Sequence, residues 1–250
     1  MEIIGNGFLA RHLRPIGGRH AGVTVLAAGV PRHPLPDSEH RREAELVAET
    51  LRRCRARGRL MVFFSTVSMY GTPGCRGLES DPVVPALRYG SHKLGLEEMV
   101  RQSGARHLIL RLGYVPGPDE PSYRLLSVLT RQLRDGEVRV QRGARRDMIH
   151  VADFVAVFDR LLATGVTDEV INVASGDCAL ITDVVDHIEL RLGIRADRRF
   201  TDATVSHCPS VAKLSGLIPE ARRPTGYFRT VIDRCLEASA VQEGKNVRPY

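Results

Sequence analysis

The sequence predicts an α/β fold on a parallel sheet, and three observations carry the prediction. Short apolar runs alternate with amphipathic stretches, as they do in strand–helix–strand units. The runs are near-continuous rather than alternating in polarity, as strands covered on both faces are. A chain of 250 residues has room for one such core and a small appended lobe.

Taken in order, Ile3-Ile4 is a short opening strand, Val23–Leu26 a second and Leu60–Phe64 a third. His107–Arg111 and Val170–Val173 follow. Between the second and third strands, Ala44, Val47, Ala48, Leu51 and Cys54 form one helical stripe. Glu49 and Arg53 are expected to pair at i,i+4 on that helix, and Gly58 is its stop. Ala152–Ala163 and Thr182–Leu192 are further helices, the latter ended by Gly193. Val241–Tyr250 is polar and is expected to fray.

Composition excludes several classes. Hydrophobic residues at 43% and charged residues at 26% belong to a globular chain, not a disordered one. No apolar run approaches the roughly 20 residues of a membrane-spanning helix, and the start MEIIGNGFLA lacks the basic region of a secretory signal. A cytoplasmic protein is expected. The net charge of +7 comes almost wholly from arginine, because Lys93, Lys213 and Lys245 are the only lysines. These arginines are spread along the chain, and aromatic residues reach only 5%, so a nucleic-acid groove is not expected. An anionic small molecule is the better use for a few of them. Cys54, Cys75, Cys178, Cys208 and Cys235 are scattered without a C-x-x-C, so neither a disulfide framework nor a zinc site is indicated. The histidines show no metal-ligand spacing, and no metal is expected.

The first chemistry-bearing motif follows the first strand. Gly5-Asn6-Gly7-Phe8-Leu9-Ala10 is a G-x-G-x-x-A turn leading into a helix. Gly5 permits a tight turn, Gly7 lets a pyrophosphate approach the backbone, and Ala10 keeps helix and strand close. The second motif is stronger. Ser65 and Thr66 end the third strand ahead of Tyr70-Gly71, and Tyr89 and Lys93 open the next helix four residues apart, on one face. A lysine ammonium there favours the phenolate, which prepares the tyrosine for general acid–base work. The Thr66 or Ser65 hydroxyl can hydrogen-bond the same substrate oxygen.

These motifs recur in one order in a known family. The glycine turn, Leu26-Ala27-Ala28-Gly29, Ser65-Thr66 with Tyr70-Gly71, and Tyr89-x-x-x-Lys93 are followed by Leu110-Arg111-Leu112-Gly113-Tyr114-Val115-Pro116-Gly117-Pro118. Arg145-Arg146-Asp147-Met148-Ile149-His150-Val151-Ala152-Asp153 and Ile171–Gly176 close the series. In this the chain resembles the extended short-chain dehydrogenase/reductases, the superfamily of nucleotide-sugar epimerases, dehydratases and ketoreductases. The resemblance runs to about residue 192.

What the resemblance implies is a doubly wound Rossmann sheet binding a nicotinamide dinucleotide, with a small C-terminal lobe gripping a sugar nucleotide. Residues 1–117 would form the dinucleotide-binding core, with 148–175 returning to it. Residues 118–147 and 176–240 would form the lobe, and 241–250 a disordered tail. Tyr89 matches the catalytic tyrosine, Lys93 the lysine that activates it and holds the nicotinamide ribose, and Thr66 the catalytic hydroxyl. The cofactor would lie on Gly5, Gly7, Phe8 and Leu9 of the glycine turn and on Ala27, Ala28 and Gly29. It would also meet Ser65, Tyr89, Lys93, Tyr114 and Val115. Arg146 matches an arginine that binds the substrate diphosphate, and Ser68 and Tyr114 would join it on the substrate side. His150 and Asp153 are structural by the same likeness, and a homodimer through the Tyr89 helix and its neighbour is implied.

The departures narrow the chemistry. Sugar dehydratases carry Asp and Glu directly after the catalytic threonine; this chain has Val67 and Ser68, so elimination of water is not expected. The 3,5-epimerases carry cysteine at the second of those positions, and a serine hydroxyl is far too weak an acid to replace it. Reduction of a ketone, or 4-epimerisation by oxidation and re-reduction, survives. A second departure is length. Leu26-Ala27-Ala28-Gly29 follows the second strand here but the fourth in the family, so two strands with their helices are missing. The missing strands are the ones that read the adenosine ribose. Arg11, Arg32 or His33 could meet a 2′-phosphate instead, which mildly favours NADP over NAD; alternatively the adenosine half of the site is open and cofactor binding weak or lost.

The fold expected is therefore a truncated doubly wound Rossmann sheet with a small substrate lobe. The leading function is NAD(P)H-dependent reduction of a keto group on a nucleotide-diphosphate deoxysugar, of the 4-ketoreductase type found in secondary metabolism. The alternatives are a nucleotide-sugar 4-epimerase, a reductase of a ketone that is not nucleotide-linked, and a cofactor-free binding or regulatory protein that keeps the fold.

Overall fold

The computed structural model describes residues 1–29, 36–70, 75–202 and 206–246. In chain order the elements are β1 (Glu2–Ile4), α1 (Phe8–Leu13), β2 (Val23–Leu26), α2 (Asp37–Ala56), β3 (Leu60–Thr66), α3 (Arg88–Gln102) and β4 (His107–Leu112). Then come α4 (Leu125–Arg134), β5 (Glu137–Gln141), β6 (Arg145–Asp147), α5 (Val151–Ala163), β7 (Glu169–Val173), β8 (Cys178–Leu180) and α6 (Ile181–Leu192). The last are β9 (Asp197–Thr201), β10 (Ser206–His207), α7 (Ala212–Leu217) and α8 (Tyr227–Asn246). Helix α8 runs well into the stretch expected to fray, and residues 247–250 lie outside the described residues.

Five parallel strands form the main sheet in the order β1-β2-β3-β4-β7. Their near-continuous apolar sequence has its reason in the two faces. Leu60, Val62 and Phe64 of β3 point to the face covered by α1 and α5, where they meet Phe8, Leu13, Phe154 and Phe158. Met61 and Phe63 point the other way, to Val47, Leu51 and Cys54 of α2 and Leu96 and Val100 of α3. Burial of so many large side chains on both faces is the main stabilisation of the sheet.

The strand order follows chain order without a reversal, which has a topological consequence. Each crossover steps in the same direction, yet α1 lies on one face and α2 and α3 on the other. The β1–α1–β2 crossover is therefore opposite in hand to the two that follow. With those two right-handed, as about 98% of such connections are, the first is left-handed. This is the arrangement left when the strands beyond β1 are removed from a doubly wound sheet and α1 keeps its face. The fold is a truncated doubly wound parallel sheet, and β1 is its edge.

Beyond the sheet, α4, α6 and α8 enclose a second core with β5 and β8, built on Leu126, Leu129, Leu133, Val138, Val140, Ala179, Ile188 and Phe228. Asp147 ties this region to the sheet: its carboxylate accepts from Ser175 N and Oγ, both at 2.7 Å, and from Gly176 N at 2.8 Å. His150 caps α5 through Nδ1, and Asp153 accepts from Tyr227 and Arg234, so both serve the fold.

Two expectations are corrected. Arg53 does not pair with Glu49; it turns to the sheet edge and meets Glu2 at 2.5 Å, while Glu49 takes Arg52 at 2.6 Å. The cysteines do form a bond, between Cys178 and Cys208. Cys178 is on β8 and Cys208 directly follows β10, the two strands that flank β6, so pairing in space replaces the spacing that the sequence lacks.

Candidate active site

The carboxyl ends of β1 to β4 open into a cleft of about 1030 Å³. The glycine turn forms one wall. Gly5 has φ +128, and a Cβ there would run into the carbonyl of Ala27, so glycine alone lets β1 and β2 end this close together. Gly7 is extended and starts α1. Phe8, Leu9, Ala27 and Gly29 line the cleft with it, whereas Gly5 and Ala28 shape the turn from behind.

Helix α3 brings Tyr89 and Lys93 to the cleft together. At its start Gly90 packs on Pro85, where a Cβ would stand only 2.8 Å from the ring. Lys93 is buried, and its Nζ donates to Glu43 Oε1 at 2.6 Å and to the Phe64 carbonyl at 3.2 Å. Glu43, on α2, accepts from His92 Nε2 through its other oxygen at 2.9 Å, and His92 stacks on His40. Above this pair sits Gly29, whose Cβ would meet Glu43 Oε1 at 2.8 Å and Lys93 Nζ at 2.9 Å.

The end of β3 supplies the hydroxyls. Thr66 Oγ1 donates to Ser68 Oγ at 2.9 Å and accepts from Ser68 N at 3.1 Å, so the two predicted residues share one small turn facing the cleft. Ser65 lines the cleft, but its hydroxyl donates to Glu97 at 2.5 Å, away from any ligand. Glu97 also holds Arg111, which donates to the Tyr70 hydroxyl at 2.7 Å. Burial pushes the Tyr70 phenol up to about 12.

On the far side, Tyr114 and Val115 line the cleft at the end of β4. The Tyr114 hydroxyl is already spent: it donates to Glu120 at 2.8 Å and accepts from Leu126 N at 3.0 Å. Arg146 reaches the cleft beside His207, its register partner on β10. Burial, and then the Arg146 guanidinium, push the His207 imidazole down to about 4, so it stands there neutral. Arg11 lines the cleft as well; Arg32, His33 and Gly71 lie outside the described residues. Among the described residues, no group of three or more His, Cys, Asp or Glu side chains could hold a metal ion.

Glu43 is the residue that the sequence reading missed. Its signal was a carboxylate on the inward line of α2, one turn ahead of Val47, where an unpaired charge would be costly.

Comparison with known proteins gives this geometry a family. Residues 21–174 match the sequence pattern of the NAD dependent epimerase/dehydratase family, a span that includes Thr66, Tyr89, Lys93 and Arg146 and leaves out the glycine turn. The UDP-glucose 4-epimerase of Azospirillum brasilense is 28% identical over 221 residues, 74% of this chain and 63% of the relative. The dTDP-6-deoxy-L-talose 4-dehydrogenase (NAD(P)(+)) of Kitasatospora kifunensis is 29% identical over 143 residues, 50% of this chain and 44% of the relative. The chain thus spans less than two thirds of the length of these curated relatives. RMD from Pseudomonas aeruginosa, solved with NADPH, superposes with a TM-score of 0.78 at 18% identity, over 94% of this chain and 98% of that one. With a sheet, a cleft and a matched span covering more than half of its length, the chain belongs to the NAD dependent epimerase/dehydratase family.

Proposed function

We propose that this chain is an NAD(P)H-dependent ketoreductase acting on a nucleotide-diphosphate deoxysugar. The observation that carries the reading is the grouping of Tyr89, Lys93 and Thr66 on one cleft with Val67 and Ser68 next in sequence, a set that can move a proton but has no carboxylate pair to expel water.

The cleft suits a dinucleotide at its nicotinamide and pyrophosphate parts. Gly7 and Gly29 present bare backbone to it, and Gly5 lets the ends of β1 and β2 close up behind them. On the adenosine side the sheet ends at β1, so among the described residues no strand tip offers a carboxylate to a ribose. Arg11 is the charged group of that wall and suits a 2′-phosphate, which supports NADP.

A bound nicotinamide would supply the hydride. The chain's own residues do the rest. Tyr89 gives its phenolic proton to the oxygen that was the ketone. The Lys93 ammonium, held by Glu43 and the Phe64 carbonyl, stabilises the phenolate left behind. Thr66, its hydroxyl turned from Ser68 Oγ, hydrogen-bonds the developing alkoxide, a contact of the kind worth about 2 to 4 kcal/mol in the transition state. Arg146 holds the diphosphate through its planar fork.

A 4-epimerase is the second reading, favoured by the likeness to the Azospirillum brasilense enzyme over 74% of this chain. An epimerase would purify with its dinucleotide bound, whereas a reductase exchanges it at each turnover. The test of the shared chemistry is Tyr89→Phe, assayed with a 4-keto-6-deoxy sugar nucleotide. Turnover should be lost while cofactor affinity stays within about twofold; an unchanged rate identifies another acid.

A further inference from the structure

Arg124 caps the start of α4, and its guanidinium is held on the cleft by two rings. Its Cζ lies 5.5 Å from the centre of Phe8, on the glycine turn, and 5.0 Å from that of Tyr114, at the end of β4. The flat cation is thus fixed between the wall expected to hold the cofactor and the wall expected to hold the substrate. Stacking of this kind fixes position without using hydrogen-bond donors.

The donors are what remain. Among the described residues the Arg124 guanidinium donates no hydrogen bond, and the nearest carboxylate, Glu120, approaches only to 4.0 Å. Glu120 instead takes Tyr114 and Ser127 at 2.8 to 3.0 Å. Arg111 is the contrast: fully buried, it spends its donors on Glu97, Tyr70 and the Glu79 carbonyl. The Arg124 side chain is only 26% exposed, so its fork of N–H groups is partly removed from water without being given acceptors. The acceptor that fits a planar fork in a cleft also lined by Arg11 and Arg146 is a pair of phosphate oxygens.

We propose that Arg124, gripped between Phe8 and Tyr114, binds a diphosphate in this cleft, as a second anchor besides Arg146. The proposal deepens the nucleotide-sugar reading and rests on it for the source of the diphosphate, which is either the cofactor or the sugar nucleotide.

The test is calorimetric titration of the full chain with UDP, with NADPH and with inorganic pyrophosphate. Wild type, Arg124→Ala, Arg124→Gln and, as a control, Arg131→Ala on the outer side of α4 are compared. Arg124→Ala should weaken at least one of the three by about 10- to 100-fold, while Arg131→Ala stays within about twofold of wild type. A loss for UDP alone assigns Arg124 to the substrate, and a loss for NADPH alone assigns it to the cofactor. A loss for pyrophosphate in a protein that never binds NADPH keeps the proposal and removes the ketoreductase reading. Should Arg124→Ala not fold, Arg124→Gln is read by the same measures. Wild-type affinity for all three ligands in the variants, or no binding of any by the wild type, overturns the proposal.

Discussion

Lys93 Nζ lies 2.6 Å from Glu43 Oε1, and the two side chains belong to residues only 3% and 1% exposed. A buried ammonium and a buried carboxylate tolerate the loss of water only because each satisfies the other. The contact joins α2 to α3 and fixes the height at which Lys93 meets the cleft. His92, on the second oxygen of Glu43, keeps that carboxylate from rotating away.

Breaking this pair from one side should therefore be costly. Glu43→Gln keeps the shape but leaves the Lys93 charge buried without a counter-charge, and stability should fall by about 3 to 5 kcal/mol. Urea unfolding measures this directly. The double variant Glu43→Gln, Lys93→Met should recover a large part of the loss, because no charge is then stranded. A single variant as stable as wild type would mean that the pair is not closed in solution.

A second prediction concerns pH. Burial, and then Arg234, push the His150 imidazole down to about 4, and His207 is pushed equally far. As pH falls through about 6.5 the unfolded chain takes up these protons and the native chain does not. The unfolded state then binds more protons, so the stabilisation is full above about 6.5 and is lost as pH falls towards 4. Asp147, which burial pushes up to about 7, acts with the opposite sign, and it cancels when wild type is compared with a histidine variant. His150→Asn retains a helix cap. Its unfolding temperature should drop less between pH 7 and pH 5 than that of wild type; equal drops would contradict the assignment.

The Cys178–Cys208 bond supports a third. It closes a loop with a sequence separation of 30 in the region that carries Arg146 and His207. In the chain-entropy description such a closure contributes about 3 to 4 kcal/mol. Cys178→Ser, or reduction of the wild type, should lower the urea midpoint accordingly. Identical midpoints with and without reductant would show that the bond does not form.

Particular residues show how much of this was legible beforehand. The strands were, because Val62, Phe64, Met61 and Phe63 must face two covered sides and so read as one apolar run. Tyr89 and Lys93 were, because a helix fixes what four residues' spacing means. The missing strands were, because Leu26–Gly29 came too early in the motif order. Contacts across elements were not. Glu43 and Lys93 are 50 residues apart, and only the packing of α2 on α3 joins them. The disulfide needed β6 to bring β8 and β10 to its two sides. The directions of the Ser65 and Tyr114 hydroxyls, towards Glu97 and Glu120, likewise depend on tertiary partners that no local pattern encodes.

The shortened sheet bears most on cofactor binding, since β1 ends it where an adenosine-reading strand would stand. On the proposed reading, the nicotinamide and pyrophosphate contacts must then suffice. Titration of the purified chain with NADPH and with NADH, followed by the fluorescence enhancement of the reduced nicotinamide, tests this most directly. Saturable binding of at least one of the two, NADPH the tighter, is the predicted result. No enhancement with either would contradict the account and leave the fold as a binding module without a nicotinamide.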